Sequence, residues 1–239
     1  MKTLSIVIPA YNEEASIGRL LQLLDEVDIE RLGWKKEIIV VDDGSKDRTF
    51  EIASAHGTAR VIQQTNGGKG RAVQRGIEEA TGEYVLVQDA DLEYDPQDYV
   101  PMLRALRDKT IVYGSRTRGV AQRRQSRRWF LGRHPQQGLG PYVAGVALSL
   151  WTFVLFGRVV TDTLTAYKLY PTDELRKLRV KTHGFETDHE LTAKFVRRGY
   201  RIVEVPIDYR PRSIADGKKI KMRDGFVAIW TLLRYRIAD

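Results

Sequence analysis

Residues Tyr84-Val85-Leu86-Val87-Gln88-Asp89-Ala90-Asp91-Leu92-Glu93-Tyr94-Asp95-Pro96 carry the reading of the fold. Tyr84 to Val87 are apolar or β-prone, enough for a short buried strand. The strand runs directly into Asp89-Ala90-Asp91. Residues two apart share a face of a strand, so alternation turns both carboxylates to one side. Paired hard oxygen ligands at the mouth of a sheet suit Mg²⁺ or Mn²⁺, which then takes phosphate oxygens of a substrate. The plainer reading of an isolated Asp-x-Asp is an acidic turn with one aspartate capping a helix. The rest of the chain separates the two.

Two further strand ends have the same form. Lys36-Glu37-Ile38-Ile39-Val40-Val41-Asp42-Asp43 is an apolar run of the kind buried on both faces of a parallel sheet, and Gly44-Ser45-Lys46-Asp47 follows it. Gly44 permits a sharp turn, and Ser45 or Asp47 can cap the next helix. Leu4-Ser5-Ile6-Val7-Ile8 leads through Pro9-Ala10-Tyr11-Asn12-Glu13-Glu14 to a helix that starts at Ser16. Pro9 is expected to end that strand. Ile17, Leu20, Leu21 and Leu24 have helical spacing.

Strands are expected at 4–9, 36–42, 59–63, 84–88, 110–113 and 202–206. Helices are expected near 16–27, 47–56, 69–80, 97–107, 186–198 and 223–235. This alternation predicts an α/β protein with a mostly parallel central sheet flanked by helices. Ligands of such open sheets bind outside the carboxyl ends of the strands, so the three acidic loops line one crevice. Region 114–140, rich in Arg and then in Gly, Pro and Gln, is expected to be a mobile loop.

The segments Ile6–Glu14, Val41–Ser45, Asn66-Gly67-Gly68-Lys69-Gly70 and Asp89-Ala90-Asp91 occur in the order and rough spacing of glycosyltransferase family 2, which the chain resembles over residues 1–120. Gly114-Ser115-Arg116, Asp162-Thr163 with Tyr167-Lys168, Gly184-Phe185-Glu186 with Glu190-Leu191, and Gly217-Lys218-Lys219 are similar to the dolichyl-phosphate mannose or glucose synthase branch. The resemblance implies a GT-A (Rossmann-like) fold forming one catalytic domain. Residues 1–120 would be its nucleotide-sugar half and residues 121–239 its acceptor half. It implies an inverting, Mn²⁺- or Mg²⁺-dependent transfer of mannose or glucose from a GDP- or UDP-sugar to a polyprenyl (dolichyl) phosphate.

The same resemblance assigns residues. Pro9, Ala10, Tyr11, Glu13, Asp42, Gly44, Lys69, Asp89 and Ala90 would hold the nucleotide, with Asp42 accepting a ring N–H of the base. Capping of the turn after Asp42 is then better given to Asp43 or Ser45. Asp91 would hold the metal, with Asp89 near the ribose or a metal-bound water. Glu93 is a further ligand, a contact behind the ligands, or a solvated carboxylate, and it stands where some members have glutamine. Lys69 lies in a glycine loop without P-loop spacing, so it reads as a phosphate contact or as a surface lysine. Glu190 would face the donor sugar, although Glu186, Asp188 and Glu190 also suit a helix start on dipole grounds alone.

The acceptor sets the remaining chemistry. A sugar hydroxyl needs a general base in hydrogen-bond reach, whereas a lipid phosphate is already ionised at neutral pH. It needs positive charge, best supplied by bidentate arginine. Arg116 and Arg210 match the family's positions most closely, with Arg127, Arg128 and Arg212 as further candidates. Arg116, Asp91 and Glu190 are the expected catalytic set.

Composition bounds these readings. Hydrophobic residues at 42% and charged residues at 29% describe a folded chain, and the absence of cysteine excludes disulfides and thiolate chemistry. Net charge is +8 at pH 7, concentrated in arginines between 116 and 133 and in a basic group between 210 and 223. No zinc-finger or RNP-like pattern accompanies them, so an anionic membrane surface suits the clusters better than nucleic acid. Residues 142–156 lack charge and 226–233 are apolar. Each reads as an interfacial helix presenting a lipid tail, and 142–156 also as a core helix or a tilted span. With no apolar leader, the expected location is the cytoplasmic face of the cell membrane, peripheral or interfacial. Competing readings are transfer to a soluble or polysaccharide hydroxyl with Glu190 or Asp188 as base, a nucleotidyltransferase, and a non-enzymatic basic module.

Overall fold

The computed structural model describes residues 1–123, 139–184, 186–211 and 222–238. The chain begins β1 (Lys2–Ala10), α1 (Ile17–Glu26), β2 (Trp34–Asp42), α2 (Thr49–His56), β3 (Ala59–Gln63), α3 (Lys69–Glu79) and β4 (Tyr84–Val87). It continues with α4 (Tyr99–Arg104), β5 (Thr110–Ser115), α5 (Arg116–Arg123) and α6 (Leu139–Phe156). It ends with β6 (Lys168–Pro171), α7 (Thr172–Arg176), α8 (Thr187–Arg197), β7 (Arg201–Pro206) and α9 (Met222–Ile237). The strands form one seven-stranded sheet in the order β3-β2-β1-β4-β6-β5-β7. β6 is antiparallel to both neighbours, and the other pairs are parallel.

Strand alternation builds two cores. Leu4, Ile6 and Ile8 of β1 and Ile38 and Val40 of β2 face α1 and α4, where Leu20, Leu24, Tyr99 and Met102 meet them. Val7, Ile39 and Val41 face the opposite layer, packing with Val73 and Ile77 of α3 and Leu191 and Phe195 of α8. A third cluster, Leu148, Ala193, Ala228, Leu232 and Tyr235, fastens α6 and α9 to α8.

Three expectations are corrected. β1 runs one residue past Pro9, because Pro9 and Ala10 still pair in register with Val41 and Asp42. Residues 116–123 are helical rather than irregular, while 124–138, with Arg127 and Arg128, lie outside the described residues, as does Arg212. β6 was not expected at all: Lys168-Leu169-Tyr170-Pro171 is too short to stand out, and it descends the sheet because α6 and the following loop return the chain to the carboxyl edge.

Among the described residues no helix is long and apolar enough to cross a membrane. α6 has 18 residues, about 27 Å, against a hydrocarbon core of about 30 Å. Its outer face and that of α9 are nonetheless apolar and bare. Leu150, Val154, Phe226 and Trp230 are between 61% and 69% exposed, and Val143, Val146 and Phe153 continue the stripe along α6. The spacing 143, 146, 150, 153 places these on one helix face.

Candidate active site

The carboxyl ends of β1, β2 and β4 lie side by side, and each carries one of the acidic loops. Asp43 N donates to Ala10 O at 2.8 Å, and Gln88 N to Val7 O at 2.9 Å. The loops after β1 and β2 are stitched together. Asn12 N donates to Ser45 Oγ at 3.0 Å, Glu13 N to Thr49 Oγ1 at 2.8 Å, and Glu14 N to Asp47 Oδ2 at 3.2 Å. Pro9 and Tyr11 are half-buried, and Ala10 and Glu13 buried, in this joint wall.

The two aspartates after β2 divide their work differently from the expectation. Asp42 is fully buried, and its carboxylate accepts Ser45 N at 3.3 Å and Gln63 Nε2 at 3.0 Å, so Asp42 itself caps the turn. Asp43 reaches across to the glycine loop, accepting Gly67 N at 2.9 Å, Gly68 N at 2.8 Å and Gln64 Nε2 at 2.7 Å. Gly44 turns with φ 73° and Gly68 with φ 90°, a left-handed backbone that suits glycine. A Cβ on Gly44 would also sit 3.0 Å from Asn66 N.

The Asp-x-Asp loop is set by hydrogen bonds rather than by strand alternation, since β4 ends at Val87. Gln88 is fully buried. Its Oε1 accepts Tyr99 Oη at 2.5 Å and Tyr167 Oη at 2.6 Å, and its Nε2 donates to Asp89 O at 2.9 Å. Tyr94 stacks on Tyr167 with centroids 4.6 Å apart. This tyrosine floor, absent from the sequence reading, fixes the loop from below. Asp89 Oδ1 then meets Lys69 Nζ at 2.5 Å, while Asp91, only 6% exposed, accepts Glu93 N at 3.1 Å. Glu93 turns away to accept Tyr209 Oη at 2.8 Å.

Beside these lies a row of charges that sequence reading only partly found. Lys168, at the start of β6, is fully buried with its ammonium 3.3 Å from Asp188 Oδ1 on α8. Burial lowers the Lys168 pKa, and Asp188 opposes that shift. Burial opposes the charge on Lys69 too, but Asp89, Asp188 and Asp91 outweigh it and hold the ammonium above the ordinary lysine value. Burial and Lys168 push His189 down to about 4, so its ring is neutral at pH 7.

Glu190 is placed otherwise than expected. It has no exposed surface, and its carboxylate accepts Lys181 N, Thr182 N and Thr182 Oγ1 and pairs with Lys194 at 2.7 Å. It braces the 181–182 loop instead of facing the cleft. Asp188, two residues earlier, is the partly exposed carboxylate of that helix start.

Arg116 caps the carboxyl end of β5. Asp162 grips it with both oxygens, Nε at 2.7 Å and Nη2 at 2.7 Å, and also accepts its backbone N at 3.0 Å. Its guanidinium lies 4.8 Å from the Tyr209 ring centroid. Arg210 is exposed, and its backbone N donates to Glu93 O at 2.7 Å. Among the described residues no set of three or more His, Cys, Asp or Glu is arranged to hold a metal by itself. The carboxylates present, Asp89 and Asp91, are hard oxygen donors of the kind Mg²⁺ or Mn²⁺ takes one or two of alongside substrate phosphate.

Residues 5–146, more than half of the chain, match the model of glycosyl transferase family 2. The chain belongs to that family. The transferase is 33% identical over 88% of its length to a dolichyl-phosphate hexose transferase of Haloferax volcanii, covering 84% of that relative. It is 29% identical to a low-salt glycan biosynthesis hexosyltransferase of the same organism, again over 88% of its length, but spans only 48% of that longer chain. Its fold matches glucosyl-3-phosphoglycerate synthase from Mycobacterium tuberculosis solved with UDP: TM-score 0.72, 22% identity, all of the transferase and 81% of the synthase chain covered. The same synthase has been solved with Mn²⁺, UDP-glucose and glycerol 3-phosphate. The α/β architecture is therefore the GT-A fold that the motifs implied.

Proposed function

We propose that the transferase is an inverting, divalent-metal-dependent hexosyltransferase that moves mannose or glucose from a nucleoside-diphosphate sugar to a polyprenyl phosphate, at the cytoplasmic face of the cell membrane. One observation carries the reading. Tyr209 joins Arg116, a cation held in place by Asp162, to the Asp89–Glu93 loop, with the bare apolar faces of α6 and α9 on the same half of the chain. The relative named as a dolichyl-phosphate hexose transferase supports the acceptor, and the synthase complex with Mn²⁺ and UDP-glucose supports the donor class.

Asp91 and Asp89 would hold Mn²⁺ or Mg²⁺, which when bound neutralises the leaving diphosphate. Pro9, Ala10, Tyr11, Glu13 and Asp42 would enclose the nucleoside, with Gly44 and Ala90 giving close backbone approach. Lys69 would pair with a donor phosphate. Arg116, with Arg210, Arg127, Arg128 and Arg212, would bring the lipid phosphate to the face of the sugar opposite the diphosphate. A phosphate oxygen then bonds to the anomeric carbon as the carbon–oxygen bond to the diphosphate breaks. The bonding pair leaves with the nucleoside diphosphate, and no proton moves. Seating the acceptor close and in line supplies much of the rate.

A second reading has an observation of its own. Asp188 is a partly exposed carboxylate beside Lys168 that would act as a general base, and the synthase of similar fold has been solved with glycerol 3-phosphate. Transfer to a soluble hydroxyl would use that base. The test is a transfer assay with Mn²⁺ and GDP-mannose or UDP-glucose against polyprenyl phosphate, the matching polyprenol, and soluble sugar and phosphoglycerate acceptors. Product on polyprenyl phosphate alone upholds the proposal; product on a soluble hydroxyl with no gain from lipid phosphate replaces it with the second reading.

A further inference from the structure

We infer that Glu204 is a positioning residue for the acceptor: by fixing the backbone that carries Asp162, it sets the angle at which Arg116 presents its guanidinium. The inference rests on the assignment of Arg116 to the acceptor phosphate and names what holds that arginine in place.

Arg116 does not aim itself. Asp162 takes two of its five N–H donors, so the direction of the remaining edge follows the place of that carboxylate. Asp162 in turn lies in residues 157–167, which join α6 to β6 without a helix or strand of their own. Glu204 supplies the order that a ladder would otherwise give. It stands on β7, beside Tyr113 of β5, and its side chain is 2% exposed. Its Oε1 accepts Thr161 N at 2.7 Å, Thr161 Oγ1 at 2.8 Å and Asp162 N at 3.1 Å.

The hydroxyls give the network a direction. Thr161 has one hydroxyl proton, and Glu204 receives it. Thr161 Oγ1 then accepts from Ser115 Oγ at 2.7 Å, and Ser115 Oγ accepts Arg118 N at 3.1 Å. Glu204 therefore reaches Arg116 from two sides, through Asp162 at its side chain and through Ser115 at the residue before it. Its Oε2 also lies 3.4 Å from Arg118 Nε, and its backbone oxygen accepts Arg118 Nη1 at 3.3 Å. An arginine held this way loses little freedom when a phosphate arrives, which lowers the cost of binding.

The experiment measures transfer to polyprenyl phosphate by the full chain, and the affinity for GDP or UDP with Mn²⁺ by calorimetry. Glu204→Gln keeps the shape and one acceptor oxygen but loses the charge. It should raise the acceptor KM about ten-fold, the scale of one hydrogen bond to a charged group, with nucleotide affinity unchanged. Thr161→Val removes only the hydroxyl and leaves the Arg118 contact alone. It should raise the acceptor KM about three-fold, and it carries the test if Glu204→Gln folds poorly. In an Arg116→Lys background, where the fork is already lost, either change should cost little more, because groups that act through one another are not additive. Full additivity, or an equal loss of nucleotide affinity, overturns the positioning role. If Arg116→Lys alone leaves the acceptor KM unaltered, the acceptor assignment of Arg116 fails and takes the inference with it.

Discussion

Tyr209 and Glu93, 116 residues apart in sequence, are joined by a hydrogen bond in which the tyrosine hydroxyl donates to Glu93 Oε2 at 2.8 Å. The Tyr209 ring is also the platform for Arg116, 4.8 Å away, and its backbone bridges to Tyr94. One side chain thus ties the aspartate loop to the arginine proposed for the acceptor. Tyr209→Phe keeps the ring and deletes the bond. A hydrogen bond to a charged group is worth about 1.5–3 kcal/mol, so the acceptor KM should rise by about ten-fold. Donor hydrolysis by water and the melting temperature should change little. A variant that instead loses donor binding would show that Tyr209 serves only the loop.

Asp91→Asn should keep the fold, because asparagine retains the oxygen that accepts Glu93 N. Mn²⁺-dependent donor binding should vanish in a calorimetric titration while the melting temperature stays within a few degrees. Near-normal turnover would remove Asp91 from the metal assignment.

Arg116 requires a different substitution from the obvious one. Arg116→Ala would strand Asp162, whose side chain is 6% exposed, and breaking a buried pair costs about 3–5 kcal/mol. Arg116→Lys preserves charge but loses the two-pronged fork. Transfer to polyprenyl phosphate should fall by about ten-fold or more, with slow hydrolysis of the donor unaffected. Equal loss in both reactions would point to a general disturbance of the cleft.

The pH dependence of folding should report on Glu190. Burial raises its pKa, but hydrogen bonds from Lys194, Thr182 and Lys181 outweigh that, so the folded value lies below the ordinary 4.5. The folded state then binds fewer protons than the unfolded one. Its stabilisation is present above 4.5 and is lost as pH falls through the folded pKa. Glu190→Gln should be less stable than the unaltered chain at neutral pH. Its melting temperature should fall less steeply as the solution is acidified below that value. Parallel acid profiles for the two proteins would count against this role.

Phe226 and Trp230 lie four residues apart on the bare face of α9. Phe226→Ser with Trp230→Ser removes about 1.5–3 kcal/mol of apolar transfer energy per side chain. Flotation with anionic vesicles should show much weaker binding at an unchanged melting temperature. Undiminished flotation would show that this face does not touch lipid.

The side proposed for the donor was legible because it is built locally. Each strand end is a contiguous apolar run followed by its own acid, so periodicity and turn chemistry locate Asp42, Asp89 and Asp91 without knowledge of the tertiary structure. The side proposed for the acceptor was not. Lys168 lies in a four-residue strand flanked by loops, and its burial depends on neighbours 55 residues back in β5 and 20 residues on in α8. Glu190 and Asp188 are indistinguishable as helix-start acids; only the packing of α8 against the 181–182 loop buries one and exposes the other. Gln88 read as the end of a strand, and nothing local shows that two tyrosine hydroxyls converge on it.

The return of the chain as β6 has an evolutionary side. Gly114 N donates to Tyr167 O at 2.9 Å, and Tyr113 pairs with Lys168, so the excursion from 116 to 166 leaves and re-enters the sheet at one point. Its ends are about 5 Å apart, as for any antiparallel pair. Lengthening such a closed excursion costs little, about 0.6 kcal/mol for each doubling. Nature can therefore replace it as a cassette, and so can an engineer: grafting a relative's 116–166 segment between intact β5 and β6 should exchange one acceptor for another while the half proposed for the donor stays untouched.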